Sequence, residues 1–322
     1  MNIQSILAPV KAEMRAVDAL IRTRLDSDVV LIKTLGEYII GAGGKRLRPA
    51  LVLMVARACG NEGKPHHLLA TLIEFIHTAT LLHDDVVDES ELRRGRETAN
   101  NVWGNGVSVL TGDFLHTRAF QMMVELKNPV IMDVLSSATN RLAEGEVMQL
   151  MYSHNPALTE ADYFDIIDRK TASLFAAGCR LAAVLSGCSK KIVDAMESYG
   201  RNLGVAFQII DDSLDYGRGS GQYGKNTGDD LAEGKPTLPL IRAMQCLDDG
   251  RAEPLRQAIR DGDVSQLAVI TKAIESTDAM TYTCARADEA ARKAIRCLDV
   301  LEHSDARDAL AHLAEFSATR RY

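Results

Sequence analysis

Two acidic segments carry residue types at a spacing that can bind a divalent cation. LLHDDVVD at 81–88 and QIIDDSLD at 208–215 both place the pattern DDxxD at the end of an apolar run, and basic residues follow each of them. One such pattern is common on solvated helix faces, whereas two copies in the same local context are hard to ascribe to chance. The repetition indicates a shared chemical role.

Helix geometry explains why this spacing suits a metal ion. Asp84 and Asp88, like Asp211 and Asp215, lie about 40° apart around a helix axis on adjacent turns. Two like charges at this spacing cost roughly 0.2–0.5 kcal/mol when nothing offsets them. Carboxylates without a thiol or imidazole cluster favour a hard ion, and Mg²⁺ fits best because it binds one or two carboxylates together with phosphate oxygens.

Clusters of basic residues near these motifs are typical of diphosphate binding. They comprise Arg93, Arg94 and Arg96 after the first motif, Lys225 and Lys235 after the second, and Lys45, Arg46 and Arg48 in GAGGKRLRP at 41–49. Arg and Lys can hold the phosphate oxygens that a metal does not reach. The third cluster is not a Walker A sequence, which reads GxxxxGK[ST]. The acidic motifs with the basic residues that follow them would form one phosphate site and the GAGGKRLRP cluster a second, which indicates two phosphorylated substrates.

The segments that carry these motifs are helical by their hydrophobic period. We predict about a dozen helices and no convincing alternating strand, with a capping box at Thr159 and Asp162 that begins one helix. The Gly-rich polar stretch at 216–236 separates helices of the same character, so we interpret it as a functional loop. The chain is therefore predicted to be a single all-α domain over residues 1–322.

Composition disfavours several classes of protein. Of the 322 residues, 46% are hydrophobic and 25% are charged, as in an ordinary globular protein. The net charge of −7, from 37 basic and 44 acidic residues, argues against electrostatic adhesion to nucleic acid or anionic lipid. Six cysteines occur without a CxxC pattern, and neither a signal peptide nor a run of about 18 apolar residues is evident. We expect a reduced, cytoplasmic enzyme.

Five segments together resemble the trans-isoprenyl diphosphate synthase family. They are GGKRLRP, LLHDDVVDESELRRG, DRKTASLF, FQIIDDSLDYG and GKNTGDDLAEGKPTLP, in the order of the family. The second acidic motif departs from the family at Ser213, where an apolar residue is usual. FIHTATLLHDDVVDES and AEGEVMQL look most like the bacterial octaprenyl diphosphate synthases. The resemblance implies an isoprenoid-synthase-type bundle of helices around a central cavity, and a homodimer.

The resemblance also implies a role for each matching residue. Asp84, Asp88 and Asp211 would bind Mg²⁺, and Asp85, Asp212, Asp215, Lys170 and Lys235 would complete the catalytic set. The allylic diphosphate would contact Arg93, Lys170, Lys235 and Lys225, and isopentenyl diphosphate would contact Lys45, Arg48, His77 and Arg94. Thr171 and Gln208 would line the reacting centre. Helix geometry turns Asp85 about 100° away from Asp84, which suggests a lesser role for it.

Some of these residues also have structural explanations. Thr171 could bond to its own helix, His77 could be a structural histidine, and Lys170 could be solvated. His83 and Asp84 form an HD pair, as in metal-dependent phosphohydrolases, but further histidine ligands at suitable spacing do not stand out. We therefore interpret His83 as structural.

The implied reaction is head-to-tail condensation. The allylic diphosphate, with farnesyl diphosphate as the expected primer, would ionise with the help of Mg²⁺ and the basic residues. The double bond of isopentenyl diphosphate would attack the cation, and a proton would be lost. The expected product is a long all-trans polyprenyl diphosphate, octaprenyl by resemblance, for ubiquinone-type side chains. Loose membrane contact is expected for its release.

Small residues at Ala79 and Thr80, about one turn before the first motif, would leave the product cavity open. A later obstacle would then end chain growth, and Phe120, Met122 and Met123 are candidates for its floor. Two alternatives remain open. One is a terpene cyclase of the same fold, which the GGKRLRP cluster disfavours. The other is a non-catalytic partner subunit of a prenyl synthase, which two intact acidic motifs disfavour.

Overall fold

The computed structural model describes residues 2–41, 44, 46–61, 63–93, 95–216 and 228–319. In chain order the helices are α1 (Ile3–Ile6), α2 (Lys11–Leu25), α3 (Val30–Gly41), α4 (Leu47–Ala58), α5 (Lys64–Val87), α6 (Ala99–Trp103), α7 (Asn105–Glu125), α8 (Pro129–Tyr152), α9 (Glu160–Ile167), α10 (Ser173–Leu185), α11 (Lys190–Leu214), α12 (Asp229–Ala232), α13 (Leu238–Cys246), α14 (Asp249–Asp261), α15 (Leu267–Glu275), α16 (Ala279–Cys297) and α17 (Asp305–Thr319). Short 3₁₀ turns occur at Ala8–Val10, Val264–Gln266 and Leu298–Val300, and a π-helical turn spans Asp168–Ala172. The predicted all-α fold is confirmed.

The helices outnumber the predicted dozen, and one small hairpin was not predicted. The helices α1, α6 and α12 have only four or five residues, too few to show a period. The strands β1 (Leu92–Arg93) and β2 (Arg96–Glu97) pair antiparallel directly after the first acidic motif. Two residues cannot display the alternation by which a strand is recognised.

The first of two compact units consists of Met1–Thr139, Leu174–Gly200 and Cys297–Leu313. In this unit α5 packs against α2, α4 and α7. The apolar face of α5, where Leu72 and Ile76 are fully buried, drives this packing. The core therefore fixes the end of α5, where the first acidic motif lies.

The second unit consists of Asn140–Ser173, Arg201–Arg296 and Ala314–Tyr322. Its core includes buried side chains of α9, α11, α13 and α16. The predicted capping box of α9 is confirmed, because the Asp162 N–H donates to Thr159 Oγ1 at 3.2 Å and the Thr159 N–H donates to the Asp162 carboxylate at 3.3 Å. This cap and core hold α9 beside the second acidic motif.

None of the helices in the described ranges is long and apolar enough to cross a membrane. The single domain over residues 1–322 stays a prediction.

Candidate active site

The first acidic motif lies at the carboxyl end of α5. Asp84 and Asp88 are both partly exposed, and Asp88 caps the helix through its N–H, which donates to the Asp84 carbonyl at 2.8 Å. Carbonyl groups at this end of a helix carry partial negative charge. Two carboxylates one turn apart therefore add to a local potential that attracts a cation.

Asp85 has a different environment from its two neighbours in the motif. It is 3% exposed, and Arg93 of the hairpin donates from Nε to its Oδ1 at 2.6 Å. Burial raises the pKa of the Asp85 carboxyl, and the Arg93 guanidinium opposes that shift. The expected lesser role of Asp85 agrees with this position. Arg93, which the sequence predicts at the allylic diphosphate, here holds Asp85 in place.

A cavity in the first unit gathers several of the predicted phosphate-binding groups. Its polar lining comprises Tyr38, Arg46, Glu74, His77, Thr78, Asp85, Arg93, Arg96, Glu97 and Thr98, and the rest of its wall is mainly apolar. Arg48 Nη1 lies 3.0 Å from His77 Nε2 and donates to it, because a guanidinium has no acceptor. The same guanidinium lies 4.5 Å from the centroid of the Phe175 ring. Arg48 and His77 are thus brought together, as predicted for one substrate.

The turn before α4 explains how Arg48 reaches this position. Gly44 has φ +140° and Arg46 has φ +43°, so the backbone bends sharply before the helix begins at Leu47. Arg46 is held by Asp18 at 3.0 Å and Glu74 at 3.6 Å. These ion pairs tie Arg46 to α2 and α5. Lys45, Arg94 and Lys225 lie outside the described residues.

The second acidic motif contains a chain of hydrogen bonds that is buried at one end and partly buried at the other. Asp212 is 6% exposed, and its Oδ1 accepts from Gln208 Nε2 at 2.7 Å while its Oδ2 accepts from the Tyr163 hydroxyl at 2.6 Å. Thr171 Oγ1 in turn donates to Gln208 Oε1 at 2.8 Å. The sequence predicts Thr171 and Gln208 at one reacting centre, and the structure brings them together. The alternative in which Thr171 bonds to its own helix is not observed.

The remaining aspartates of this motif are set apart by their surroundings. Asp215 is 8% exposed and accepts the backbone N–H groups of Gly228 at 3.0 Å and Asp230 at 3.1 Å, which holds the start of α12. Asp211 is partly exposed. Ser213, the departure from the family, donates to the Ile210 carbonyl of its own helix at 2.8 Å.

The π-helical turn between α9 and α10 presents Lys170 and Thr171. Its wide backbone bond runs from the Ser173 N–H to the Asp168 carbonyl. The Asp168 carboxylate accepts from Arg141 at 2.7 Å and from Arg201 at 2.6 Å, so two guanidinium groups anchor the turn. Turns of this kind are frequent at functional sites.

α8 braces the same turn through three consecutive residues. Glu144 pairs with Arg169 at 2.6 Å, and Glu146 pairs with Lys170 at 2.5 Å. Gly145 between them allows close approach, because a Cβ there would lie 2.6 Å from the Lys170 nitrogen. Lys170 is therefore held by a defined ion pair and is not simply solvated.

The loop after α12 carries Lys235. Its ammonium pairs with Glu233, and its N–H donates to the Asp230 carbonyl at 2.8 Å. The segment is anchored further by the His154 N–H, which donates to the Gly234 carbonyl at 2.7 Å.

The predicted chain-length residues differ in burial. Ala79 is fully buried, and Thr80 is partly buried and donates to the His77 carbonyl at 2.8 Å. Met122 and Met123 are each 1% exposed. Phe120 is 46% exposed, and its role as a cavity floor stays a prediction.

The acidic motifs fit a hard divalent cation. The partly exposed carboxylates of the two motifs are those of Asp84, Asp88 and Asp211. The neighbouring His83 has a different contact, because its Nε2 lies 3.2 Å from the Val109 carbonyl. In the part of the chain that the structure describes, no three His, Cys, Asp or Glu side chains form a metal cluster. Mg²⁺ needs only one or two protein carboxylates when water and substrate phosphate complete its coordination.

The fold and the paired acidic motifs define an isoprenoid synthase. A solved polyprenyl synthase of Caulobacter crescentus CB15, complexed with calcium and isoprenyl diphosphate, matches with a TM-score of 0.96 and 43% identity, covering 100% of this chain and 98% of that one. Octaprenyl diphosphate synthase of Escherichia coli K12 is 48% identical over 321 residues, 99% of both chains. The geranyl-diphosphate-specific all-trans-nonaprenyl-diphosphate synthase of Rhodobacter capsulatus is 43% identical over 318 residues, 98% of both chains.

The model of the polyprenyl synthetase family matches residues 29–277, and the chain belongs to this family. The protein is therefore a prenyltransferase that condenses isopentenyl diphosphate onto an allylic diphosphate. The family uses a divalent metal. The predicted family, reaction and enzyme class are confirmed.

Sequence reasoning did not identify Tyr163 or Glu146 as parts of the site. A tyrosine within an apolar helix face is a weak signal, since a buried hydroxyl usually has a partner.

Proposed function

We propose that the protein is a long-chain, all-trans polyprenyl diphosphate synthase that uses Mg²⁺ and extends farnesyl diphosphate to octaprenyl diphosphate for quinone side chains. The observation that carries this proposal is the cavity of the first unit, where His77, Asp85 and Arg93 meet and Arg48 binds His77. Basic side chains around one cavity suit a diphosphate.

Each residue has one task in this proposal. Asp84, Asp88 and Asp211 would hold Mg²⁺, which supplies Lewis-acid stabilisation of the leaving diphosphate. Lys170, Lys235, Lys225 and Arg93 would hold the allylic diphosphate, and Lys45, Arg48, His77 and Arg94 would hold isopentenyl diphosphate. When the substrate binds, the Lys170 ammonium would leave its ion pair with Glu146 and bind oxygens of the allylic diphosphate. Thr171 and Gln208 would line the reacting centre, where water must be excluded because it would quench the allylic cation.

The octaprenyl length draws support from the relatives and from the helix that precedes the first motif. One relative is named for an octaprenyl product at 48% identity and another for a nonaprenyl product at 43% identity. The buried Ala79 leaves room below the motif, and the buried Met123 is available further along as an obstacle.

A homodimer is part of the proposal. Exposed apolar residues lie on α7 and on α8, among them Leu110 at 68%, Val124 at 65%, Leu150 at 61% and Met151 at 73% exposure. Exposed apolar side chains that form a contiguous patch are a feature of protein interfaces, so these residues are candidates for the dimer contact. Light scattering should give twice the 35.2 kDa of one chain, and a monomer at micromolar concentration would refute the dimer. A cytoplasmic location and loose membrane contact at product release stay predictions.

The test is to incubate the purified protein with Mg²⁺, farnesyl diphosphate and labelled isopentenyl diphosphate, and to size the extracted chains. A single product near octaprenyl supports the proposal. A short product would keep the reaction and refute the interpretation of Ala79 and Thr80. No incorporation by a folded protein would refute the proposal and favour a partner subunit or a cyclase.

A further inference from the structure

Tyr163 is buried in the core of the second unit and reaches the second acidic motif. It lies on α9 with 3% exposure, packed among apolar residues. Its hydroxyl donates to Asp212 Oδ2 at 2.6 Å. Burial and the nearby Asp212 carboxylate raise the pKa of Tyr163 well above its ordinary value, so the hydroxyl keeps its proton. Asp212 lies 49 residues away from Tyr163 in the sequence, on α11.

The direction of each bond in this network is determined by chemistry. An ionised carboxylate only accepts, so the Gln208 NH₂ group must face Asp212 Oδ1, 2.7 Å away. The Gln208 carbonyl oxygen then faces Thr171, whose hydroxyl donates to it at 2.8 Å. The chain Tyr163–Asp212–Gln208–Thr171 thus links α9, α11 and the π-helical turn. The hydroxyl protons of Tyr163 and Thr171 are both donated within this chain. Thr171 Oγ1 can therefore only accept a hydrogen bond from any other group.

The network also determines what the neighbouring Asp211 can do. Consecutive residues on a helix point about 100° apart. Tyr163 on α9 donates to Asp212 and Thr171 of the π-helical turn donates to Gln208, so two groups outside α11 restrain the rotation of this helix about its axis. Asp215 is engaged by the backbone at the start of α12. The partly exposed Asp211 is therefore the carboxylate that the fixed helix presents.

We propose that Tyr163 is a positioning residue for the reaction: through Asp212 it sets the direction of the Asp211 carboxylate, and through Gln208 it sets the orientation of the Thr171 hydroxyl. This inference rests on the proposed function, in which Asp211 binds Mg²⁺ and Thr171 lines the reacting centre. It assigns Asp212 to the interior network and away from the metal. Loss of the Tyr163 hydroxyl would remove a donor to Asp212 and loosen both ends of the chain.

The test compares Tyr163→Phe with Tyr282→Phe. The control is closely matched, because Tyr282 packs against the same core and its hydroxyl also donates to a carboxylate, that of Glu160 on α9, at 2.8 Å. Mn²⁺ binding in the presence of inorganic pyrophosphate, followed by electron paramagnetic resonance, needs no turnover. We expect Tyr163→Phe to weaken Mn²⁺ binding and lower kcat by about 10- to 100-fold, with the KM for isopentenyl diphosphate unchanged, and Tyr282→Phe to alter neither.

Two outcomes would overturn the proposal. One is wild-type Mn²⁺ affinity in a folded Tyr163→Phe protein, and the other is an equal loss in both variants, which would mark a general effect of losing a core hydroxyl. A background of Asp212→Ala gives a second measurement, in which Tyr163→Phe should cause no further loss of Mn²⁺ affinity. Additive losses would show that Tyr163 does not act through Asp212. If wild-type protein bound Mn²⁺ but incorporated no isopentenyl diphosphate, the proposed function would fail while the Mn²⁺ comparison would still decide the role of Tyr163.

Discussion

Replacement of Gly145 by alanine should impair catalysis more than stability. A Cβ at this position would lie 2.6 Å from the Lys170 nitrogen, 2.9 Å from Arg169 Cβ and 3.0 Å from Lys170 Cα. Since favourable contacts lie at about 3.5–4.0 Å, the π-helical turn or α8 must move by about 1 Å. Such overpacking costs about 1–3 kcal/mol, of which the better helix propensity of alanine returns about 1 kcal/mol. A displacement of this size at positioned groups lowers rates by about 100-fold.

This prediction is tested by measuring kcat from the steady-state incorporation of isopentenyl diphosphate and stability from thermal unfolding. We expect kcat to fall by about 10- to 100-fold in Gly145→Ala, with a net loss of about 0–2 kcal/mol in the free energy of unfolding. Gly106→Ala is the control, because Gly106 is also helical and no atom lies within 4 Å of the position that the added methyl group would take. A lowered melting temperature with kcat within about twofold of wild type would refute the reasoning, since the clash would then be absorbed without moving Lys170 or Thr171.

Three further substitutions probe the first unit. Burial lowers the pKa of His66, although the Ala182 carbonyl opposes the shift, so the unfolded chain takes up the proton first as pH falls. The resulting contribution to the free energy of unfolding is present above about pH 6.5 and is lost below it, by at most about 1.4 kcal/mol per pH unit. Urea unfolding from pH 8 to pH 5 should therefore show a smaller loss of stability with falling pH in His66→Gln than in wild type. Equal losses in the two proteins would contradict this prediction. Ala79→Tyr and Thr80→Phe should shorten the product, and chains of wild-type length from either folded variant would refute an open cavity below the first motif.

The helices and the motif residues could be predicted because their signals are local. The Thr159–Asp162 capping box needs only residues three apart, and its geometry is as expected. The interior position of Asp85 follows from the rotation of a helix by about 100° per residue. The hydrogen bond from Arg93 to Asp85 could not be predicted, because sequence alone does not show that a carboxylate eight residues away is buried and requires a cation.

Contacts between distant segments could not be predicted. Thr171 bonds to Gln208, 37 residues away, where a bond to its own helix was equally plausible from sequence. The π-helical turn at Asp168–Ala172 adds less than one residue to the helical period, and its anchors, Arg141 and Arg201, lie in other helices.

In both acidic motifs the second aspartate points into the protein, but it is bound by different partners. Consecutive aspartates on a helix cannot both face the same ion, so the second of each pair turns inward and needs a buried donor. In the first motif the donor is the Arg93 guanidinium, which brings a compensating charge to Asp85. In the second motif Asp212 accepts hydrogen bonds from the Tyr163 hydroxyl and from the Gln208 amide. Hydrogen bonds in a low-dielectric interior depend strongly on their geometry. We therefore expect the loss of a single hydroxyl on α9 to disturb the orientation of the second motif.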